Sequence, residues 1–235
     1  VKDRTTRAQP HARITFVTGT DTGVGKTVLT GLIVLYLRQC GVNALAMKPF
    51  CTGDRLDVSV LAALQSHQVG FDEINPVYFT EPLAPLAAAR KCGYSVKIPR
   101  VLNSIRAMQN RCDWLVIEGI GGVSVPLTKS FTVADLISKL QCETIVVARN
   151  RLGTINHTLL TVDALKRTGV RQIKVVLMDQ EQADPSAEHN QLIISELARD
   201  VPVYRLSFLG PNASEPACLK KSLPKVKKVV AQLLG

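Results

Sequence analysis

The chain of 235 residues has no Cys-x-x-Cys pair among its six cysteines, no apolar run approaching 18 residues, only 5% aromatics and no fixed-period repeat. Each absence removes a class of protein. The cysteines, at 40, 51, 92, 112, 142 and 218, have no zinc-knuckle spacing. They read as reduced, mostly structural thiols of a cytoplasmic protein. With no long apolar run, and no cationic segment ahead of a hydrophobic one, neither a membrane span nor a signal peptide is expected. Scarce aromatics, nowhere interleaved with basic residues, leave no base-stacking platform. The net charge of +10 therefore does not imply nucleic-acid binding. Much of the excess lies in "VKDRTTRAQPHAR" (1–13), read as a flexible basic tail, and in "LKKSLPKVKKVVAQLLG" (219–235), read as a terminal helix with a solvated basic face.

What the chain does have is a glycine-rich turn between two apolar runs near its start, "ITFVTGTDTGVGKTVLTGLIVLYLRQCG" (14–41). A strand that turns through glycines into a helix builds a phosphate cradle. Backbone N–H groups converge on anionic oxygens at the positive end of the helix. The cradle spans Gly19, Thr20, Asp21, Thr22, Gly23, Val24, Gly25, Lys26 and Thr27. Lys26 is expected to reach the outer phosphates, and Thr27 to offer its hydroxyl to a magnesium ion. Five residues separate Gly19 from Gly25, one more than the usual pattern, so Thr20 takes the first small position. The bland alternative, an ordinary tight turn, is disfavoured by the apolar flanks.

A hydrophobic content of 46% over this length supports one large core, with residues 14–235 as a single domain. Strand-like runs "NALAMK" (43–48), "DWLVIEG" (113–119), "ETIVVAR" (143–149), "QIKVVLM" (172–178) and "VPVYRL" (201–206) alternate with helical ones at 57–68, 101–112, 132–140, 154–169 and 185–200. Thr154 is placed to cap the fourth of these helices. The proline-rich segment 73–93 reads as a structured loop leading into a short helix, and "GIGGVSVPLTKSF" (119–131) as a loop too glycine-rich for a regular element. This order implies an α/β fold, a three-layer sandwich of the P-loop NTPase kind, with a mostly parallel sheet covered by helices on both faces. Ligands of such sheets bind beyond the strand C-termini. Lys26, Lys48, Glu118, Asn150 and Asp179 all fall at strand ends on that side.

Lys48 closes a buried strand, where an ammonium needs an anion or a path for its stem to the surface. Asp57 and Glu118 have plain readings as a helix N-terminal acid and a solvated strand end. With Thr27 they also make a set of hard oxygen donors suited to magnesium. Cys51 reads as a small buried filler, because nothing in the sequence stabilises a thiolate. His157 reads as a hydrogen-bonding group on a helix face.

Motifs in order along residues 14–209 give the chain its resemblance to the dethiobiotin synthetases: "FVTGTDTGVGKT", "KPFCTG", "EPLAPLAAA", "VIEGIGG", "PLTKSFTVADL" and "RLGTINHTLLT". The resemblance implies a magnesium-ATP-dependent cyclo-ligase that joins CO2 to 7,8-diaminopelargonate. It implies Lys26 as the triphosphate lysine, Thr22 beside the reacting carbamate, and Lys48 as the lysine that holds the carbamate near the γ-phosphate. Thr27, Asp57 and Glu118 become the magnesium ligands, and Thr52, Gly121 and Asn156 substrate contacts. Asn156 and the 119–128 loop would lie near a two-fold interface, so a homodimer is implied. Met178 stands where the family commonly presents an asparagine to adenine. A thioether cannot supply both a donor and an acceptor, so base selectivity stays open. Arg205 lies on the same side, as a nucleotide contact or a solvated side chain. Rival readings are a related synthetase with another substrate, and a partitioning-type ATPase. The latter usually adds a lysine early in the loop, where this chain has Thr20 and Asp21.

Overall fold

The computed structural model describes residues 12–235. The basic tail expected over residues 1–13 lies outside them as far as residue 11. Arg13 is already the first residue of strand β1 (Arg13–Gly19).

From β1 the chain enters α1 (Lys26–Gln39), then β2 (Ala44–Met47), β3 (Phe50–Thr52), α2 (Leu56–Leu64), α3 (Phe71–Ile74), β4 (Val77–Phe79), α4 (Pro85–Lys91) and α5 (Ile98–Gln109). The second half runs β5 (Trp114–Gly122), β6 (Pro126–Thr128), β7 (Phe131–Thr132), α6 (Val133–Leu140), β8 (Glu143–Arg149), α7 (Thr154–Arg167), β9 (Ile173–Met178), α8 (Ala187–Leu197), β10 (Val203–Leu206) and α9 (Pro216–Leu234). Six strands form one parallel sheet in the order β10-β9-β8-β1-β5-β2. The order reverses about β1: the early strands lie on one side of it and the later ones on the other. A crevice therefore opens beyond its C-terminal end, where the loop before α1 begins.

Burial explains the apolar runs. In β8 the six residues from Glu143 to Ala148 are buried, and five consecutive residues of β1 are, as expected for strands covered on both faces. Helix α1 packs against α9, α2 and the strands β1, β2 and β5, while α6, α7 and α8 make a connected layer against β5, β8 and β10. The result is the three-layer sandwich.

The glycine-rich stretch departs from the loop reading. Strand β5 continues through Gly122, and a short antiparallel hairpin of β6 and β7 follows. The glycines are there because backbones approach closely: a Cβ on Gly119 would lie 2.9 Å from Phe16 Cε1, and one on Gly122 would lie 3.3 Å from the Thr20 carbonyl oxygen. Between the pairs Val17–Glu118 and Gly19–Gly122 the register slips. That bulge directly follows Glu118, at the sheet mouth, where such irregularities re-aim side chains.

Two further elements differ from expectation. The proline-rich segment holds β4, which pairs in parallel with β3 as a separate small sheet. Buried Asn75 fixes it by donating from Nδ2 to the Lys48 and Val77 carbonyls, both at 3.0 Å. Helix α7 is capped by Gly153, at φ +89, with no side-chain cap; Thr154 is its first residue and is buried.

Candidate active site

The loop of residues 19–27 takes its shape from two glycines in the left-handed region, Gly23 at φ +64 and Gly25 at φ +103. Side-chain-bearing residues resist that conformation. The N–H groups of Gly23, Val24, Gly25, Lys26 and Thr27 find no acceptor among the described residues. This is the state of a cradle built for an anion. Lys26 is almost fully buried and folds back to donate from Nζ to the Asp21 carbonyl at 2.8 Å. Burial, with the charge of Lys48 next, lowers its pKa to about 8.

On the floor of the crevice, Lys48 Nζ lies 2.6 Å from Glu118 Oε1 and 2.8 Å from Asp57 Oδ2. Burial works against its charge, but the two carboxylates outweigh it and hold Lys48 protonated well above the usual lysine range. Burial of Asp57 is likewise outweighed by Lys48 and the Thr27 hydroxyl, which lower its pKa. Full burial pushes Glu118 upward against the pull of Lys48. Held 2.6 Å from an ammonium that stays charged, it remains a carboxylate in this pair.

Thr27 Oγ1 lies 2.9 Å from both Asp57 Oδ1 and Glu118 Oε1. A hydroxyl has one proton, so it donates to one carboxylate at a time and keeps lone pairs for another partner. Glu118 Oε2 is buried with no hydrogen-bond partner among the described residues. Three hard oxygen donors and an unsatisfied carboxylate oxygen fit a small divalent cation that keeps most of its waters. Among the described residues there is no group of three or more His, Cys, Asp or Glu that could hold a metal by itself.

A cleft of about 500 Å3 collects Thr22, Gly23, Gly25, Lys26, Thr27, Lys48, Thr52, Asp57, Glu118 and Gly121 from the sequence-derived set. Gly19 and Val24 support the loop beneath it: a Cβ on Gly19 would lie 2.7 Å from Val24 Cγ2. Thr20, Asp21 and Val24 line a separate, smaller recess with Arg149, Thr154 and His157. Met178 joins Val28, Phe208, Leu209 and Pro211 around an adjoining pocket of about 220 Å3. Asn156 is exposed on α7 and is not among the residues lining the cleft.

Sequence reasoning missed Asp54, Leu56, Ile120 and Ser214, which also line the cleft. Ser214 arrives from the segment before α9 and carries no local signal. Leu56 is 68% exposed, and an exposed apolar residue beside "KPFCTG" was the available hint. Cys51 lines the cleft as well, yet burial pushes its thiol pKa up, in keeping with a filler rather than a nucleophile. Asn150 and Asp179 are tied to each other at 2.8 Å, and Arg205 grips Asp179 at 2.8 and 2.9 Å. These three brace the sheet mouth.

A family model described as "AAA domain" matches residues 13–205. The chain is 38% identical to the ATP-dependent dethiobiotin synthetase BioD of Anaeromyxobacter sp. (strain Fw109-5), over 88% of this chain and 96% of that protein. With the protein of the same name from Anaeromyxobacter dehalogenans (strain 2CP-C) it shares 42% identity, over 82% of this chain and 89% of the relative. Among solved structures, the MinD cell division protein of Aquifex aeolicus superposes with a TM-score of 0.60 at 17% identity, covering 95% of this chain and 98% of that one. That likeness shows the fold alone.

Proposed function

The chain belongs to the family of ATP-dependent dethiobiotin synthetases, and from that membership we propose that it is a magnesium-ATP-dependent cyclo-ligase forming the ureido ring of dethiobiotin from 7,8-diaminopelargonate and CO2. The observation that carries this reading is the convergence of Lys26, Thr27, Lys48, Asp57 and Glu118 on one cleft at the sheet mouth. In the proposed reaction one amine of the diamine takes up CO2 as a carbamate. The carbamate oxygen is then phosphorylated from ATP, and the second amine closes the ring on the mixed anhydride with loss of phosphate. No protein nucleophile is required, so positioning and charge neutralisation are what the residues supply.

The loop N–H groups and Lys26 bind the triphosphate. Lys48, protonated across the physiological range, cannot serve as a base. It is a fixed positive charge for the carbamate and the transferred phosphoryl oxygens. Thr22, Thr52 and Gly121 border the space where the reacting groups meet, and Leu56 and Ile120 offer apolar surface to the alkyl chain. Magnesium fits the donor set of Thr27, Asp57 and Glu118, and when bound there it neutralises phosphate charge. Asn156, exposed on α7 and not among the residues lining this cleft, would serve the partner's site in a homodimer. The exposed Leu152 and Leu160, at 80% and 61%, lie on the same segment. The partitioning-type alternative has no comparable observation in its favour.

The test is phosphate release from magnesium-ATP and bicarbonate, with and without 7,8-diaminopelargonate, while dethiobiotin is followed by mass. Release that depends on the diamine and matches product one for one supports the ligase. Release indifferent to the diamine, with no product of that mass, overturns it.

A further inference from the structure

None of the roles given to the phosphate loop uses Arg149, the last residue of β8, yet its guanidinium grips the loop. Nε and Nη2 both donate to the Gly23 carbonyl oxygen, at 3.2 and 2.9 Å. The approach is so close that a Cβ on Gly23 would lie 2.9 Å from Nη2. Gly23 therefore serves two ends: it reaches φ +64, and it leaves room for the guanidinium.

The consequence follows from peptide geometry. A trans peptide is planar, with its C=O and the following N–H on opposite sides. Holding the Gly23 carbonyl toward Arg149 aims the Val24 N–H away from Arg149. Arg149 lines the small recess with Thr20, Asp21 and Val24, whereas Gly23 and Gly25, on either side of Val24, line the main cleft, which Arg149 does not. The Val24 N–H, turned away from Arg149 and flanked by two glycines that border the cleft, has no acceptor among the described residues. Without the grip, the Gly23–Val24 peptide is free to flip, because glycine tolerates both orientations. A flip would present a carbonyl oxygen to the incoming phosphates.

We propose that Arg149 is a positioning residue for triphosphate binding, holding the Gly23–Val24 peptide so that its N–H faces the phosphates. It acts through the loop and touches neither nucleotide nor diamine. The proposal rests on the nucleotide reading above. The grip holds one loop conformation ready for the nucleotide, which lowers the ordering cost of binding.

The experiment compares wild type, Arg149→Met and Arg149→Lys, using AMPPNP with magnesium as the probe in calorimetry, the melting temperature of each ligand-free protein, and steady-state kinetics. Arg149→Met is expected to weaken AMPPNP binding tenfold or more, and to raise KM for ATP while kcat at saturating ATP stays within twofold of wild type. Melting temperatures should stay within about two degrees of wild type. Arg149→Lys keeps the charge but not the two-nitrogen grip, so it should fall between the two. A folded Arg149→Met that binds AMPPNP like wild type overturns the proposal. So does Arg149→Lys at wild-type affinity, or a loss in kcat and melting temperature with KM unchanged. A wild type that binds no AMPPNP overturns the nucleotide reading and this proposal with it, and so is distinguishable from a failure of Arg149 alone.

Discussion

Lys48 Nζ stands 2.6 Å from Glu118 Oε1, both side chains buried, and Asp57 completes the cluster at 2.8 Å. An ammonium thus bridges the two carboxylates that also bear on the Thr27 hydroxyl. Lys48 is the counter-charge to both acids, the fully buried Glu118 and the half-exposed Asp57.

Removing that charge should be costly. Lys48→Met leaves Glu118 ionised and unpaired in the core, and breaking a buried pair from one side typically costs about 3–5 kcal/mol. Lys48→Met with Glu118→Gln should recover most of the loss, because neither buried charge remains. Urea denaturation of the single and double variants tests this. A Lys48→Met protein as stable as wild type would mean that Glu118 takes up a proton at little cost.

Lys26 makes the opposite prediction. Its folded pKa of about 8 lies below the ordinary 10.5, so the unfolded chain holds this proton more tightly than the folded one. The penalty is complete below pH 8, shrinks between 8 and 10.5, and vanishes above. At 1.36 kcal/mol per pKa unit it is on the order of 3 kcal/mol. Lys26→Met should therefore melt higher than wild type at pH 7, with a lead that narrows as pH rises toward 10.5, while triphosphate binding is lost. A stability difference that does not change with pH would show that Lys26 is not strained by its burial.

The divalent site has its own readout. Glu118→Gln removes the carboxylate whose Oε2 has no partner among the described residues. Binding of manganese, used as a paramagnetic probe in the presence of AMPPNP, should weaken at least tenfold. The same variant should bind metal-free AMPPNP within about threefold of wild type. Unchanged manganese affinity would remove Glu118 from the donor set.

How much of this could be read in advance depends on whether a feature is local. The phosphate loop was legible because its glycines, lysine and threonine are contiguous and physically constrained. Lys48 and Glu118 were legible as strand-end charges, since a parallel sheet gathers such ends on one edge, and Asp57 as an acid in the first turn of the helix that follows. The partnership of Lys48 with both acids was not, because the sequence asked for an anion beside the ammonium without saying which. The strand hidden in "GIGG" looked like a loop because its glycines answer a tertiary demand, the contacts with Phe16 and with the Thr20 carbonyl. Arg149 gave no signal, as its target is 126 residues away. Ser214 gave none either.

The pocket proposed to take the base carries the last prediction. Among its polar side chains Asp179 is held by Arg205 and Asn150, Gln180 donates from Nε2 to the Met178 carbonyl at 2.8 Å, and the two short hydroxyls of Ser207 and Ser214 are left. What remains to meet a base is largely apolar: Val28, Met178, Phe208, Leu209 and Pro211. Met178 itself packs onto the loop, with its Cε 3.1 Å from where a Cβ on Gly25 would be. Apolar contact holds any base and distinguishes few, whereas a site built on hydrogen bonds rejects a base that leaves them unmade. KM values for ATP, GTP and CTP should then lie within about tenfold of one another. Met178→Asn, which adds a donor and an acceptor at the pocket wall, should widen the preference for ATP over GTP by about tenfold, the worth of one hydrogen bond near 1.4 kcal/mol. A wild-type preference for ATP beyond a hundredfold would mean that backbone groups of residues 207–210 read the base, leaving Met178 only its packing on Gly25.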